Sequence, residues 1–287
     1  MLKARILTSL VLVPLFLAAL FLLPDVLWAL LMLVAITVGA WEWGTINGFK
    51  PFVRNAYALA IFILGAMLIL ALEFGETLPL EHAMFWGIAC STIFWVVLVP
   101  AWLSTRYQVK NLLIIALAGL LVLLPTWFAL MALRIPSLLA LVDVHGAGPA
   151  LLLGIMVAVW IADSAAYFAG KRFGKHKLAV KISPGKTWEG VLGAWLAVSI
   201  YGFILCITLH VSYWLIVALW GITVLSIMGD LLESLIKRHA NVKDSGNILP
   251  GHGGMLDRID GLTSSLPLAA FFLYFPLYYA VWSSYFK

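Results

Sequence analysis

Charge is scarce in this sequence: 18 Lys or Arg and 13 Asp or Glu in 287 residues, 11% of the chain against 64% hydrophobic. So little charge excludes a soluble fold with a polar surface. Cysteine is scarcer still. Cys90 and Cys206 fall inside apolar runs, with neither metal-ligand nor disulfide-framework spacing, and both read as core residues. There is no internal repeat and no low-complexity tract. A Walker A loop is missing as well. "SPGKT", 183–187, has the right ending, but Val180 stands where the first glycine is needed and no parallel-strand context surrounds it.

What is present is apolar length, with a mean hydropathy of +1.06. Nine runs are long enough to cross a bilayer as helices of roughly 20 residues: 5–23, 26–46, 56–72, 84–103, 111–133, 149–170, 189–209, 212–232 and 262–284. The expectation is an all-α, polytopic integral membrane protein, one transmembrane catalytic domain over 1–287 with no room for a separate soluble unit. Lys3 and Arg5 before the first run resemble the start of a signal peptide. The run is about 18 residues long and no polar mature domain follows it, so it is expected to remain as a helix.

The positive-inside rule sets the orientation. With the N-terminus in the cytoplasm and the C-terminus in the periplasm, 16 of the 18 basic residues lie on the cytoplasmic side, and only Arg134 and Lys287 lie outside. The acidic loop with Glu73, Glu76 and Glu81 falls outside too. Topology therefore accounts for the net charge of +5, and no nucleic acid is needed as a partner. A basic cytoplasmic face also attracts anionic lipid and polyphosphate.

The polar chemistry crowds into two loops on that side. Residues 171–188, "KRFGKHKLAVKISPGKTW", carry six basic residues and no acid. Residues 234–260, "SLIKRHANVKDSGNILPGHGGMLDRID", carry seven charged side chains and four glycines. Both belong to the second half of the chain, 149–284, with its loops 171–188 and 233–261. The first half, 1–133, is expected to serve as scaffold or as the interface of a homodimer.

Three features carry candidate chemistry. Asp230 and Glu233 lie one turn apart at the cytoplasmic end of the eighth run, the negative end of the helix dipole, where a carboxylate calls for a cation. Glu233 can pair with Lys237 at i,i+4. Asp230 either reaches the headgroups or binds a divalent cation with a second carboxylate from Asp257 or Asp260, since Mg²⁺ prefers such oxygens and commonly adds substrate phosphates. Asp163 lies inside the sixth run, where a carboxylate costs about 2.5–3.5 kcal/mol and is expected to face the interior with a partner or a task. Glu42, between Trp41 and Trp43, reads as an interface residue in an aromatic belt. "SPGKT" places Lys186 and Ser183 on a turn suited to a phosphate. "PGHGG", 250–254, has glycines whose N–H groups can converge on an anion, and His252 is a base, a phosphate donor or a loop histidine.

These residues together resemble a known family. Ser234, Lys237-Arg238, Lys243-Asp244, His252-Gly253-Gly254 and Asp257-Arg258-x-Asp260 stand at the spacing of the phosphatidate cytidylyltransferase signature, bacterial type. "ADSAAYFAGKRFGKHKLAVKISPGKTWEG" is similar to the family's second block. One departure is Val180, where many members carry proline before the basic residue. The resemblance implies transfer of CMP from CTP to phosphatidate with Mg²⁺, with room for a second cation, at a site facing the cytoplasm of a bacterial inner membrane. Asp230 and Asp257 are then the metal ligands, and with Lys237 and Arg238 the catalytic set. Ser183, Lys186, Ser234, Lys243, Asp244, His252, Gly253, Gly254 and Arg258 contact substrates, while Asp163, Glu233 and Asp260 support. Its partners are the two substrates and membrane lipid.

Two rival readings use the same residues. "DRIDG", 257–261, matches the start of the CDP-alcohol phosphatidyltransferase pattern, but Ser264-Ser265 follow and no acid occurs after Asp260. An ion- or proton-coupled transporter, with Asp163 as relay, requires polar residues spread along several spans. Here they crowd onto one face.

Overall fold

The computed structural model describes the backbone of residues 2–73, 77–135, 147–248 and 253–284. Ten α-helices run along the chain: α1 (Leu2–Leu22), α2 (Asp25–Ile46), α3 (Pro51–Glu73), α4 (Thr77–Ile93), α5 (Val99–Thr105), α6 (Leu112–Arg134), α7 (Gly148–Phe173), α8 (Trp188–Leu209), α9 (Trp214–His239) and α10 (Leu256–Ser284). A π-helical stretch, Phe94–Leu98, joins α4 to α5, making nine rods among the described residues. It ends two residues before Pro100, whose ring nitrogen cannot donate to the carbonyl of Val96 within the stretch, and the wider turn accommodates that loss.

Seven rods are long and apolar enough to cross a membrane; α1, with its shorter apolar part Leu10–Leu22, and α10 are the other two. The chain is a polytopic membrane protein. The only strands among the described residues are β1 (Lys177–Ala179) and β2 (Ser183–Thr187), an antiparallel hairpin with Lys177 opposite Thr187.

Local signals place the helix ends. Asn111 caps α6, its Oδ1 accepting from Leu113 N–H (2.9 Å) and Ile114 N–H (3.3 Å). Thr187 caps α8 through Gly190 N–H at 3.1 Å. Pro51 opens α3, where its missing donor costs nothing.

Helix α6 is the centre of the bundle, with 61% of its most apolar stretch buried, and it packs against α2, α4, α7 and α10. Its own Trp127, with Trp28 of α2 and Trp95 of the π-helical stretch, is among the largest fully buried side chains. The apolar stretch of α3, by contrast, is only 22% buried and faces the surroundings. At the end of the bundle away from the hairpin, Arg134 locks α6 to α1 and α2. Its guanidinium donates to Leu20 O (2.9 Å), Leu23 O (2.5 Å) and Asp25 Oδ1 (2.5 Å), which satisfies carbonyls that the end of α1 leaves open.

Helices α9 and α10 approach closely through glycine. A Cβ on Gly229 would strike Asp260 O and Ser264 Oγ, and one on Gly261 would strike Ser226 Oγ. Small residues at facing positions let two membrane helices meet backbone to backbone. That contact brings Asp230 of α9 beside Asp260 of α10.

Candidate active site

The hairpin, the last three turns of α9 and the first turn of α10 meet at one end of the bundle. There the charged side chains sort into two groups, each around one lysine. Lys186 of β2 sets its Nζ 2.7 Å from Asp230 Oδ2 and 3.5 Å from Ile227 O. Asp163 of α7 and Asp260 of α10 interact electrostatically with both Lys186 and Asp230, although Asp163 itself is exposed. Ser234 Oγ donates to Asp230 Oδ1 at 3.2 Å.

One turn further along α9, Lys237 Nζ lies 2.8 Å from Glu233 Oε2 and 2.5 Å from Asp257 Oδ1. All three side chains are nearly buried, at 11%, 7% and 6% exposure. Asp257 is held on its other oxygen too: Oδ2 accepts from Ser245 N–H (2.9 Å), Ser245 Oγ (3.1 Å) and Gly254 N–H (2.8 Å). Asp257 precedes the apolar part of α10. Burial opposes its ionisation, but Lys237 and the N–H groups of Gly254 and Ser245 outweigh that and hold its carboxyl below the usual range.

The remaining sequence-expected residues lie around these groups. Arg238 is exposed, with Nε 3.5 Å from Ile182 O. Lys243, Asp244 and Arg258 are exposed, Ser183 opens β2, and Gly253 makes the turn before α10 with φ +82°. His252 lies outside the described residues. "SPGKT" is a strand leading into α8 and not a turn, because Trp188 N–H bonds back to His176 O at 3.0 Å and pairs the segment with β1. Val180 sits exposed at the hairpin's apex.

Glu42 is where the sequence reading fails. It is fully buried and not at an aromatic belt; it accepts bonds from Ser245 Oγ, Met255 N–H and Leu256 N–H. Nothing local predicts this, since its partners lie some 200 positions away. The one available signal was an acid inside an apolar run, the same signal that singled out Asp163.

Among the described residues no group of three or more His, Cys, Asp or Glu side chains is placed to hold a metal ion. The charge balance nevertheless suits a cation. Among the described residues five carboxylates, of Asp163, Asp230, Glu233, Asp257 and Asp260, share two lysines, and Glu233 Oε1 is buried without a partner. Two carboxylates with substrate phosphates and waters are a usual Mg²⁺ set.

A polytopic membrane protein whose lysines and carboxylates converge on one face has the parts of a phosphoryl-transfer enzyme. Residues 3–276 match the cytidylyltransferase family. The chain is 39% identical to the phosphatidate cytidylyltransferase of Pseudomonas aeruginosa, over 96% of this chain and 97% of that one. It is 36% identical to the Haemophilus influenzae phosphatidate cytidylyltransferase, over 96% and 100%. With the Bacillus subtilis phosphatidate cytidylyltransferase it shares 46% identity over 42% of this chain and 45% of the relative. The chain belongs to the cytidylyltransferase family, among its phosphatidate cytidylyltransferases.

Proposed function

We propose that the chain joins CTP to phosphatidate at the hairpin end of the bundle, with the lipid phosphate as nucleophile. An oxygen of that phosphate forms a bond to the α-phosphorus of CTP, the bond from the α-phosphorus to the bridging oxygen breaks, and pyrophosphate leaves with the electron pair. The nucleophile is already ionised, so no general base is needed. The demands are alignment of two polyanions and neutralisation of the charge on the transferring group.

The observation that carries this reading is the convergence of Lys186, Asp230, Lys237 and Asp257 from three separate elements. Lys186, Arg238, Lys243 and Arg258 contact phosphates, with Ser183, Ser234, Asp244, His252 and the 253–254 turn lining the substrates. Lys237 fixes Asp257. Asp230 and Asp257 hold Mg²⁺, with Asp163, Glu233 and Asp260 supporting. When bound, the ion neutralises phosphate charge at the α-phosphorus. A second cation would be balanced by the same excess of carboxylates.

The hairpin end faces the cytoplasm of the bacterial inner membrane, since the basic residues gather there and CTP is a cytosolic solute. The activity test is purified protein with labelled CTP, phosphatidate and Mg²⁺, read for a CDP-lipid. Product formed only from CDP-lipid with glycerol phosphate or serine would sink the assignment. Ion flux without turnover would favour a transporter instead.

A further inference from the structure

Glu42 of α2 is a buried carboxylate, 0% exposed, lying among residues of the α9–α10 loop. Its Oε1 accepts from Met255 N–H at 3.0 Å. Its Oε2 accepts from Leu256 N–H at 2.9 Å and from Ser245 Oγ at 2.9 Å. Met255 and Leu256 are where α10 begins, so the carboxylate satisfies donors that a helix start leaves open, and the helix dipole offsets its charge.

The loop is shaped to this side chain. A Cβ on Gly246 would press on Glu42 Oε1, and one on Gly254 would strike both carboxylate oxygens and Ser245 Oγ. The convergent N–H groups of the glycine turn are thus occupied by the protein's own anions: Gly254 by Asp257, and the two residues after it by Glu42. Ser245 connects these anions. Its hydroxyl lies 2.9 Å from Glu42 and 3.1 Å from Asp257 Oδ2, and its N–H donates to that same Asp257 oxygen. One hydroxyl proton serves one acceptor at a time, so the two carboxylates share a single donor.

We propose that Glu42 is a positioning residue for the reaction, fixing the start of α10 and Ser245 so that Asp257 presents its carboxylate in one orientation. Glu42 touches no substrate. The role rests on Asp257 belonging to the active site, and it assigns part of the chemistry to a helix from the half of the chain expected to be scaffold.

Glu42→Gln keeps the shape and removes one acceptor. Whichever way the amide turns, its NH₂ faces a backbone N–H, of Met255 or of Leu256, so the first turn of α10 must shift. Ser245→Ala removes only the hydroxyl link and leaves the helix start capped. Each variant is expected to lower kcat per folded molecule about 10-fold with little change in KM for CTP, and to keep that loss at temperatures far below its melting point. The double variant should be no worse than the more severe single, because both break one linkage.

Turnover and melting of the wild type, both singles, the double and Asp257→Asn in detergent decide the matter. A kcat loss that disappears once rates are normalised to folded protein, or on cooling, makes Glu42 a fold residue and overturns the proposal. Losses that multiply in the double variant overturn it too, since Glu42 would then act by another route. Wild-type activity in Asp257→Asn removes the underlying site assignment, and that outcome is read independently of the other four proteins.

Discussion

Replacing Lys237 tests whether the charges at the start of α10 form a buried unit. In Lys237→Met the stem is kept and the ammonium lost, so Glu233 and Asp257, 7% and 6% exposed, are left without their shared cation. Removing one partner of a buried ion pair costs about 3–5 kcal/mol, because the remaining charge stays desolvated. Against a total stability of roughly 5–15 kcal/mol that is a large fraction. At about 2 °C per kcal/mol for a chain of this size, the melting point should fall on the order of 6–10 °C.

The cause can be separated from simple loss of packing by neutralising an acid as well. Lys237→Met/Glu233→Gln removes the repulsion between the stranded carboxylates and should recover about 1–3 kcal/mol of the loss, without restoring turnover. The 13 tryptophans supply the fluorescence for melting in detergent, and labelled CTP supplies the activity. If Lys237→Met melts within about 1 °C of wild type, no more than about 0.5 kcal/mol of the expected 3–5 kcal/mol penalty is present and the trio is not buried as described. A double variant that melts below the single shows that charge repulsion is not the source.

The other predictions concern substrate, metal and topology. Lys186→Ala and Arg238→Ala should each cut kcat/KM by roughly 10- to 150-fold, the range for a lost charge-assisted contact; Arg238→Lys should recover only part, because a point charge cannot replace a planar fork. Wild-type kinetics in both Ala variants would reduce these residues to topology signals. Asp230→Asn and Asp257→Asn should each abolish turnover in folded, inserted protein, and a variant with wild-type activity at limiting Mg²⁺ is not a ligand. Cysteines placed at Lys177 and Asn247 should react with an impermeant reagent only in inverted vesicles, and labelling in intact spheroplasts would reverse the orientation.

The helices were legible because membrane spans need long apolar runs, and each of the nine runs lies on one rod. Their ends were less so. The eighth run stops at 232 by hydropathy, yet α9 continues to His239. Hydropathy treats Glu233 and Lys237 as water-seeking, but at i,i+4 they neutralise each other and stay buried on the helix. The β-hairpin escaped notice since Pro184-Gly185 read as a turn, while the register that makes it a strand comes from pairing with Lys177–Ala179. Glu42 escaped for a different reason. Two flanking tryptophans gave it a local explanation, and no local pattern encodes donors that arrive from residues 245–256.

Composition also made Lys186, Lys237 and Arg238 look alike, as three cations waiting for phosphate, and burial separates them. The Lys186–Asp230 pair is partly open, at 22% and 38% exposure, and exposed pairs are worth only about 0–1 kcal/mol. An incoming phosphate can therefore draw Lys186 away from Asp230 at little cost. Lys237 is bound between two nearly buried carboxylates, where the same exchange costs about 3–5 kcal/mol, more than one charge-assisted phosphate contact of about 1.5–3 kcal/mol returns. Arg238 is exposed and, among the described residues, has only the long contact to Ile182 O to give up. The magnitudes suit the three cations to different work, which the variants above test: Lys186 and Arg238 to meet substrate, and Lys237 to hold Asp257 in place.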